Sequence, residues 1–240
     1  MSSVYTRAVE IHGLGLSMRM MIERVPQGAR VLDVGCASGY LAEPLREHRG
    51  CPYVDGVELD PADAALARRS YRNVVVGSAE EAATYARLAG PYDAVLLGDV
   101  LEHLRDPAAV LRHVRALLAP DGVVVSSIPN VAHYSIRAQL LQGHFDYADT
   151  GILDRTHLRF FTRSTLLALF TDNGYRVTAC DPALKPPVAM PSLATRWLPT
   201  ALVQSVARMR DEIFAFQYIT VAVPARPLDR AEAEAQPVSA

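Results

Sequence analysis

Positive charge is not in excess in this chain. Its 24 Lys and Arg stand against 26 Asp and Glu, for a formal net charge of -2. That removes the electrostatic case for nucleic acid as the main partner. Long apolar runs are missing too, and no segment approaches the ~20 apolar residues of a membrane span. Residues 1–24 carry Arg7, Glu10, Arg19 and Glu23 with no apolar run between them, so nothing there reads as a signal peptide. Cysteine is scarce: Cys36, Cys51 and Cys180 show no metal or redox spacing, and their odd number argues against a disulfide framework. A reduced, cytoplasmic protein is expected, and no internal repeat is visible.

What is present suits one large domain. The chain has 240 residues, 50% of them hydrophobic, enough for a sizeable core. Five apolar runs punctuate residues 30–128: "RVLDV" (30–34), "YVDGVE" (53–58), "NVVVG" (73–77), "YDAVLLG" (92–98) and "GVVVSSI" (122–128). They are β-branched with little polar alternation, as a parallel sheet covered on both faces requires. Helix starts lie between them. Asp60-Pro61 and Asp106-Pro107 each read as an N-cap followed by proline, and Ser78 with Glu81 reads as a capping box. The run after Asp106 places Val110, Leu111, Val114, Leu117 and Leu118 on one face, and Pro120-Asp121-Gly122 predicts a turn that stops it.

After residue 130 the rhythm breaks. A polar and aromatic insertion spans 131–161. Thr162 then caps a helix that Asn173-Gly174 ends. "YRVTAC" (175–180) and "FQYITVAV" (216–223) are the sixth and seventh strands. The expected fold is α/β, a doubly wound seven-stranded Rossmann-like sheet with an antiparallel last strand and a lid insertion after strand five. Residues 1–223 form the single domain. Within it, 1–24 make an N-terminal helical cover, with Tyr5 and His12 as lining residues or a plain packing role. The tail 224–240 is expected to be disordered.

"VLDVGCASGY" sets Asp33, Gly35 and Gly39 between the first strand and a helix. Gly35 permits a tight turn, and Gly39 lets a ligand or the helix approach the backbone. Glu58 ends the second strand, where an acid accepts hydrogen bonds from both hydroxyls of a ribose. Gly39 has no third glycine after it, which disfavours a dinucleotide, and no Lys-Ser or Lys-Thr offers a triphosphate loop.

These residues resemble the class I S-adenosylmethionine (SAM) methyltransferases, continuously over residues 28–130. "VLDVGCASGYLAE" is similar to the family's first motif, through Asp33, Gly35, Cys36, Ala37, Gly39 and Tyr40. "VDGVELDPADAALAR" is similar to the second, with Glu58 as the ribose acid and Leu59 beside it. "VVVGSAEE" is similar to the third and lays Ser78, Ala79 and Glu80 along the adenine. "YDAVLLGDVLEHLRDP" brings Gly98, Asp99, Val100 and His103 to the methionine end. Ala37 departs from the pattern where many members carry a second glycine. The resemblance implies SAM as cofactor and S-adenosylhomocysteine as product.

Methyl transfer needs nucleophile and sulfonium aligned and a base when the acceptor is a neutral hydroxyl. His133, just past the fifth strand, is the first candidate base, His157 the second and His103 a third. Tyr5, Glu102, Tyr134, Asp154 and Arg155 are candidate acceptor contacts. Asp154 and Arg155 are expected to hold the lid by ion pairs, with Phe160 and Phe161 as its anchors. No histidine pair has tight ligand spacing such as H-x-x-x-H, so no metal is expected. The mixed polar and aromatic insertion, and its resemblance to methyltransferases of bacterial polysaccharide and natural-product glycosylation, imply a small-molecule or glycan hydroxyl as acceptor. The alternatives are an N- or C-methyltransferase on a small metabolite, a nicotinamide oxidoreductase, or a non-catalytic partner. The apolar residues of 197–216 suit internal packing or a homodimer contact.

Overall fold

The computed structural model describes residues 14–184 and 210–225. In chain order the elements are α1 (Leu16–Glu23), β1 (Arg30–Val34), α2 (Ala42–Arg49), β2 (Tyr53–Glu58), α3 (Pro61–Ala67), β3 (Asn73–Val76), α4 (Ala82–Tyr85) and β4 (Tyr92–Gly98). After a 3-10 turn at Leu101–His103 come α5 (Pro107–Arg115), β5 (Leu118–Pro129), α6 (Tyr134–Leu141), α7 (Arg163–Asp172), β6 (Tyr175–Leu184), α8 (Asp211–Phe214) and β7 (Ala215–Pro224). The sheet order is β3-β2-β1-β4-β5-β7-β6. The first five strands run parallel, and β7 lies antiparallel between β5 and β6. The expected doubly wound seven-stranded architecture is present.

Strand residues alternate between two buried layers because successive side chains leave opposite faces of the pleat. Leu32, Val95 and Leu97 join Val110, Leu111 and Val114 of α5 and Leu166 and Phe170 of α7. Val31, Ala94 and Leu96 join Met21 and Ile22 of α1, Leu45 of α2 and Ala64 of α3. Both layers are apolar, which explains the lack of polar alternation in these strands. Among the described residues no helix is long and apolar enough to cross a membrane.

Two of the three predicted caps and the Thr162 cap hold. Asp60 accepts from the amides of Ala62 and Asp63, and Asp106 from that of Ala109. Thr162 and Thr165 exchange side-chain to backbone bonds as a capping box. The third cap does not form: α4 starts after Glu81 without a side-chain cap, and the Ser78 hydroxyl accepts instead from the Glu80 amide, one residue short of Glu81. The predicted stop at Pro120-Asp121-Gly122 is also different. α5 ends at Arg115, and Leu118 already pairs with Tyr92 as part of β5. Gly122 and its neighbours sit in a register shift between Tyr92 and Ala94, so strand pairing absorbs the turn as a bulge. β6 runs four residues beyond its expected end because it pairs with β7 as far as Leu184. Of the expected N-terminal cover, the described part is α1, which buries Met21 and Ile22 as a packing helix. Residues 1–13, 185–209 and 226–240, and with them Tyr5, His12 and the expectation of a disordered tail, lie outside the described residues.

Replacing Thr162 with alanine leaves the first amides of α7 without their cap. Urea unfolding should report a loss of about 1 kcal/mol, with the slope against denaturant unchanged.

Candidate active site

The carboxyl ends of β1, β2 and β4 meet at one edge of the sheet. There the chain after Val34 turns sharply, and Gly35, Ala37 and Gly39 all adopt positive φ (75°, 46° and 83°). The amides of Gly35 and Cys36 donate to the Val57 carbonyl at 2.8 and 3.0 Å. The Ala37 amide donates to one Glu58 oxygen at 2.8 Å, and the Asp60 amide to the other at 2.8 Å. Glu58 thus shapes the loop while staying half-buried. A carboxylate has about four lone-pair sites, and these two amides leave room for a pair of ligand hydroxyls. Leu59 is exposed at the rim beside it.

The glycines do structural work. A Cβ at Gly35 would sit 2.7 Å from Val100 Cγ2, and one at Gly39 would sit 2.8 Å from the Ala67 Cα and 2.9 Å from Tyr71. Of the two uses open to Gly39, the structure takes protein packing, since the end of α3 fills the space. Ala37 carries the backbone strain of a non-glycine residue at positive φ.

Asp33 is buried under the loop, and the Tyr71 hydroxyl donates to it at 2.6 Å. Cys36 is buried next to it, and burial first, then the Asp33 and Glu58 charges, push its thiol far up. Glu80 accepts from the Asp106 amide at 2.7 Å and Tyr85 donates to the Ala79 carbonyl, so 78–80 tie the β3–α4 loop to the start of α5. Tyr40 is half-buried where the loop enters α2.

At the end of β4, Gly98 lies against Met21 of α1. Asp99 adopts φ 53°. One of its oxygens accepts from the Ser127 hydroxyl at 3.0 Å and from Gln217 at 2.6 Å, while Ser17 donates to Gln217. Three elements (α1, β5 and β7) therefore converge on Asp99. Ser127, Gln217 and Tyr71 escape sequence reading, because no local pattern marks a residue that acts only through a distant partner.

The second feature comes from the insertion. The Glu102 carbonyl accepts from the amides of Leu158 and Arg159 at 2.8 and 2.9 Å, which clamps residues 157–159 onto the 3-10 turn. His157 then meets His103 edge-on, with ring centroids 4.7 Å apart. One ligand-capable atom each from Glu102, His103 and His157 lies within 4.8 Å of the others. Glu102 is 1% exposed, and neither carboxylate oxygen has a hydrogen-bond partner among the described residues. Burial foremost, then the Asp99 and Asp154 charges, hold its carboxyl well above the usual range. Burial and then His157 lower His103. The absence of tight linear spacing did not preclude this cluster, since its members come together across more than fifty residues of chain.

The remaining candidates sit elsewhere or differently. His133 is buried as the N-cap of α6. Its Nδ1 lies 2.8 Å from the Ser135 hydroxyl and accepts from the Ser135 amide, and its ring packs on Tyr134 and Phe216. That occupies the Nδ1 of His133 with its own helix start. Among the described residues Asp154 forms no ion pair. It accepts from the Thr156 hydroxyl at 2.6 Å and amide at 2.8 Å. Burial pushes its carboxyl up, but the Thr156 bonds and the nearby histidines outweigh that and hold it low. Arg155 does pair, with Asp149 at 2.9 Å, on the exposed surface. Phe161 is buried in the main core, and Phe160 packs on the small cluster of Ile136, Ile152 and Leu153, so both anchors hold.

Comparison with known proteins bears on this geometry. Residues 16–179 match the model of a family described as "Methyltransferase domain". A ubiquinone biosynthesis O-methyltransferase of Xanthomonas axonopodis pv. citri is 40% identical over 111 residues, covering 44% of this chain and 45% of that protein. Its counterpart in Marinobacter nauticus is 36% identical over 124 residues, 47% of this chain and 50% of that one. The chain thus spans about half the length of the curated relatives it matches. Among solved structures, a SAM-dependent methyltransferase from Archaeoglobus fulgidus aligns with TM-score 0.64 at 19% identity over 92% of this chain and 99% of that one. The plantazolicin methyltransferase, solved with S-adenosylhomocysteine, aligns with TM-score 0.61 at 13% identity over 93% and 90%. These likenesses show the fold.

Burial foremost raises Asp33 from 3.8 to about 7, with Tyr71 pulling it back and Glu58 adding to the rise. The folded chain therefore keeps a proton that the unfolded chain has lost between about pH 4 and 7. Stability from this residue is full below about pH 4 and falls as pH rises, by up to roughly 4 kcal/mol at pH 7 and above. Melting curves of Asp33→Asn at pH 5 and pH 7.5 should lack that fall. A decline equal to that of the unaltered chain would contradict the assignment.

Proposed function

The chain belongs to the SAM-dependent class I methyltransferase family, and from that premise we propose that it methylates a hydroxyl oxygen of a sugar or glycoconjugate. The observation that carries the reading is the shared edge: Glu58 and its loop end β2, while the Glu102–His103–His157 cluster follows β4. Glu58 fits a ribose diol, since each of its oxygens accepts one amide and retains lone-pair capacity. The amides of the 35–39 turn and the start of α2 would receive the carboxylate end of the cofactor. Ser78, Ala79 and Glu80 would border the adenine, and Gly98, Asp99 and Val100 the methionine end. When bound, SAM supplies the methyl group: the acceptor oxygen forms the new C–O bond, the C–S bond breaks, and sulfur keeps the electron pair.

The chain's own work is to hold the acceptor and accept its proton. His157 is the best-placed histidine. Its Nδ1 lies 3.0 Å from the Ile152 carbonyl, which only accepts, so the proton is on Nδ1 and Nε2 carries the lone pair. His103 beside it, Glu102, Asp154 and Tyr134 would border the acceptor, with Arg155 at the outer rim. The polar and aromatic character of 144–161 supports a polyhydroxylated acceptor. The relatives' role in ubiquinone biosynthesis favours a second reading, a phenolic hydroxyl, and the aromatic contacts among Phe145, Tyr147 and Phe160 support it. An acceptor screen with nucleotide sugars against catechols distinguishes the two. Methyl found on nitrogen or carbon would overturn both.

Calorimetry with S-adenosylhomocysteine should give a saturable site. Glu58→Ala should weaken it by about 10–100-fold, the value of one or two hydrogen bonds to a charged acceptor. His157→Ala should leave that affinity unchanged and lower turnover about 10²–10⁴-fold. Equal turnover in His157→Ala would remove it from the mechanism.

A further inference from the structure

We infer that Glu102, His103 and His157 form a binding site for one divalent transition cation of the zinc, manganese or iron(II) type. Three observations carry this. The first is the donor set. Two imidazoles and a carboxylate, each with a ligand atom within 4.8 Å of the others, match the ligand chemistry of borderline cations better than the all-oxygen shells of Mg²⁺ or Ca²⁺. Bonds of about 2.0–2.2 Å would require the three atoms to close in by on the order of 1 Å, which side-chain rotation supplies.

The second is the state of the imidazoles. His157 Nδ1 faces the Ile152 carbonyl at 3.0 Å, and His103 Nδ1 faces the Thr156 carbonyl at 3.3 Å and the Thr156 hydroxyl at 3.2 Å, whose own proton goes to Asp154. Carbonyls only accept, so both rings carry their proton on Nδ1 and turn a lone pair outward from Nε2. A ring N–H held by a backbone carbonyl is the usual outer support of a metal-bound histidine. Thr156 is itself fixed, because its hydroxyl and amide both donate to Asp154.

The third is what the cluster lacks. Both oxygens of Glu102 and Nε2 of His157 are buried with no hydrogen-bond partner among the described residues. They are acceptors of one cluster with no donor of their own. Such groups are costly to bury unless a hydrogen-bond donor or a cation satisfies them, and the Asp99 and Asp154 charges at Glu102 favour a cation. A cation satisfies all three at once. A single proton shared between Glu102 and one imidazole satisfies only two.

With three protein ligands, the cation keeps an open position. Resting on the methyl-transfer reading above, that position is where the acceptor hydroxyl binds, and His157, its Nε2 lone pair on the ion, holds the cation instead of taking the proton itself. The ion lowers the hydroxyl's pKa so that the proton leaves to water and the oxygen attacks as the anion.

The test uses the full chain stripped with chelator, titrated with Co²⁺ and followed by visible absorption, with Zn²⁺ as competitor. One saturable equivalent with d–d bands is expected. Glu102→Gln and His157→Ala should each weaken Co²⁺ by more than about 100-fold, and Thr156→Val by about 10-fold through loss of outer support. No saturable cobalt signal in the folded unaltered chain overturns the site, as does equal affinity in Glu102→Gln and His157→Ala. Those results would leave the shared proton as the explanation. S-adenosylhomocysteine affinity is measured on the same samples. Cobalt binding without it retains the cation site and sinks methyl transfer, and the converse sinks the cation site alone.

Discussion

The pairing of β1 between β2 and β4 governs the rest of the molecule. Val34 opposite Val57 brings the Gly35 and Cys36 amides onto the Val57 carbonyl. The next residue of β2, Glu58, then reaches the Ala37 amide. On the other side, Asp33 opposite Leu96 sets the end of β4 just beyond, so that Val100 closes on Gly35. A one-residue slip of either strand would turn every buried side chain to the wrong layer. The site geometry therefore inherits the precision of a sheet that is apolar on both faces.

On this rigid edge the insertion adds a part that a sheet alone cannot provide. Its inner side has a small apolar cluster of its own, Ile136, Ile152 and Leu153 with Phe160. Asn130, fully buried, donates to the Glu212 and Ala215 carbonyls and accepts from the Ala132 amide, which fixes the segment's root. The Glu102 carbonyl then takes two amides from its far end. Held at both ends, the insertion brings a histidine to a buried glutamate whose oxygens are left without donors. The Asn130 side chain holds one end and the backbone carbonyl of Glu102 the other, which leaves the Glu102 carboxylate out of the holding.

Much of the fold was legible in the chain. The first, second and fourth strands have the expected bounds, because their continuous β-branched runs describe a two-sided burial that only a central parallel strand has. The Asp-Pro caps were legible because N-caps act within three residues. The capping box expected at Ser78 failed because the hydroxyl found a nearer amide at Glu80. Pro120-Asp121-Gly122 misled because its turn chemistry was real, but pairing of Leu118 with Tyr92 had already started the strand.

The loop with its acid was likewise readable, since Gly35, Gly39 and Glu58 sit at strand ends that the pattern locates. Their detailed uses were not. Asp33 points inward to Tyr71, and Gly39 yields its space to α3, because contacts between residues about thirty apart in sequence leave no local mark. The same holds for the histidines. The sequence by itself determined a doubly wound sheet and a glycine loop facing an acid, both encoded in periodicity and short-range hydrogen bonding. Only the tertiary structure decided which histidine is engaged as a cap and which stands beside Glu102, because that choice depends on how a thirty-residue insertion folds back onto the end of β4.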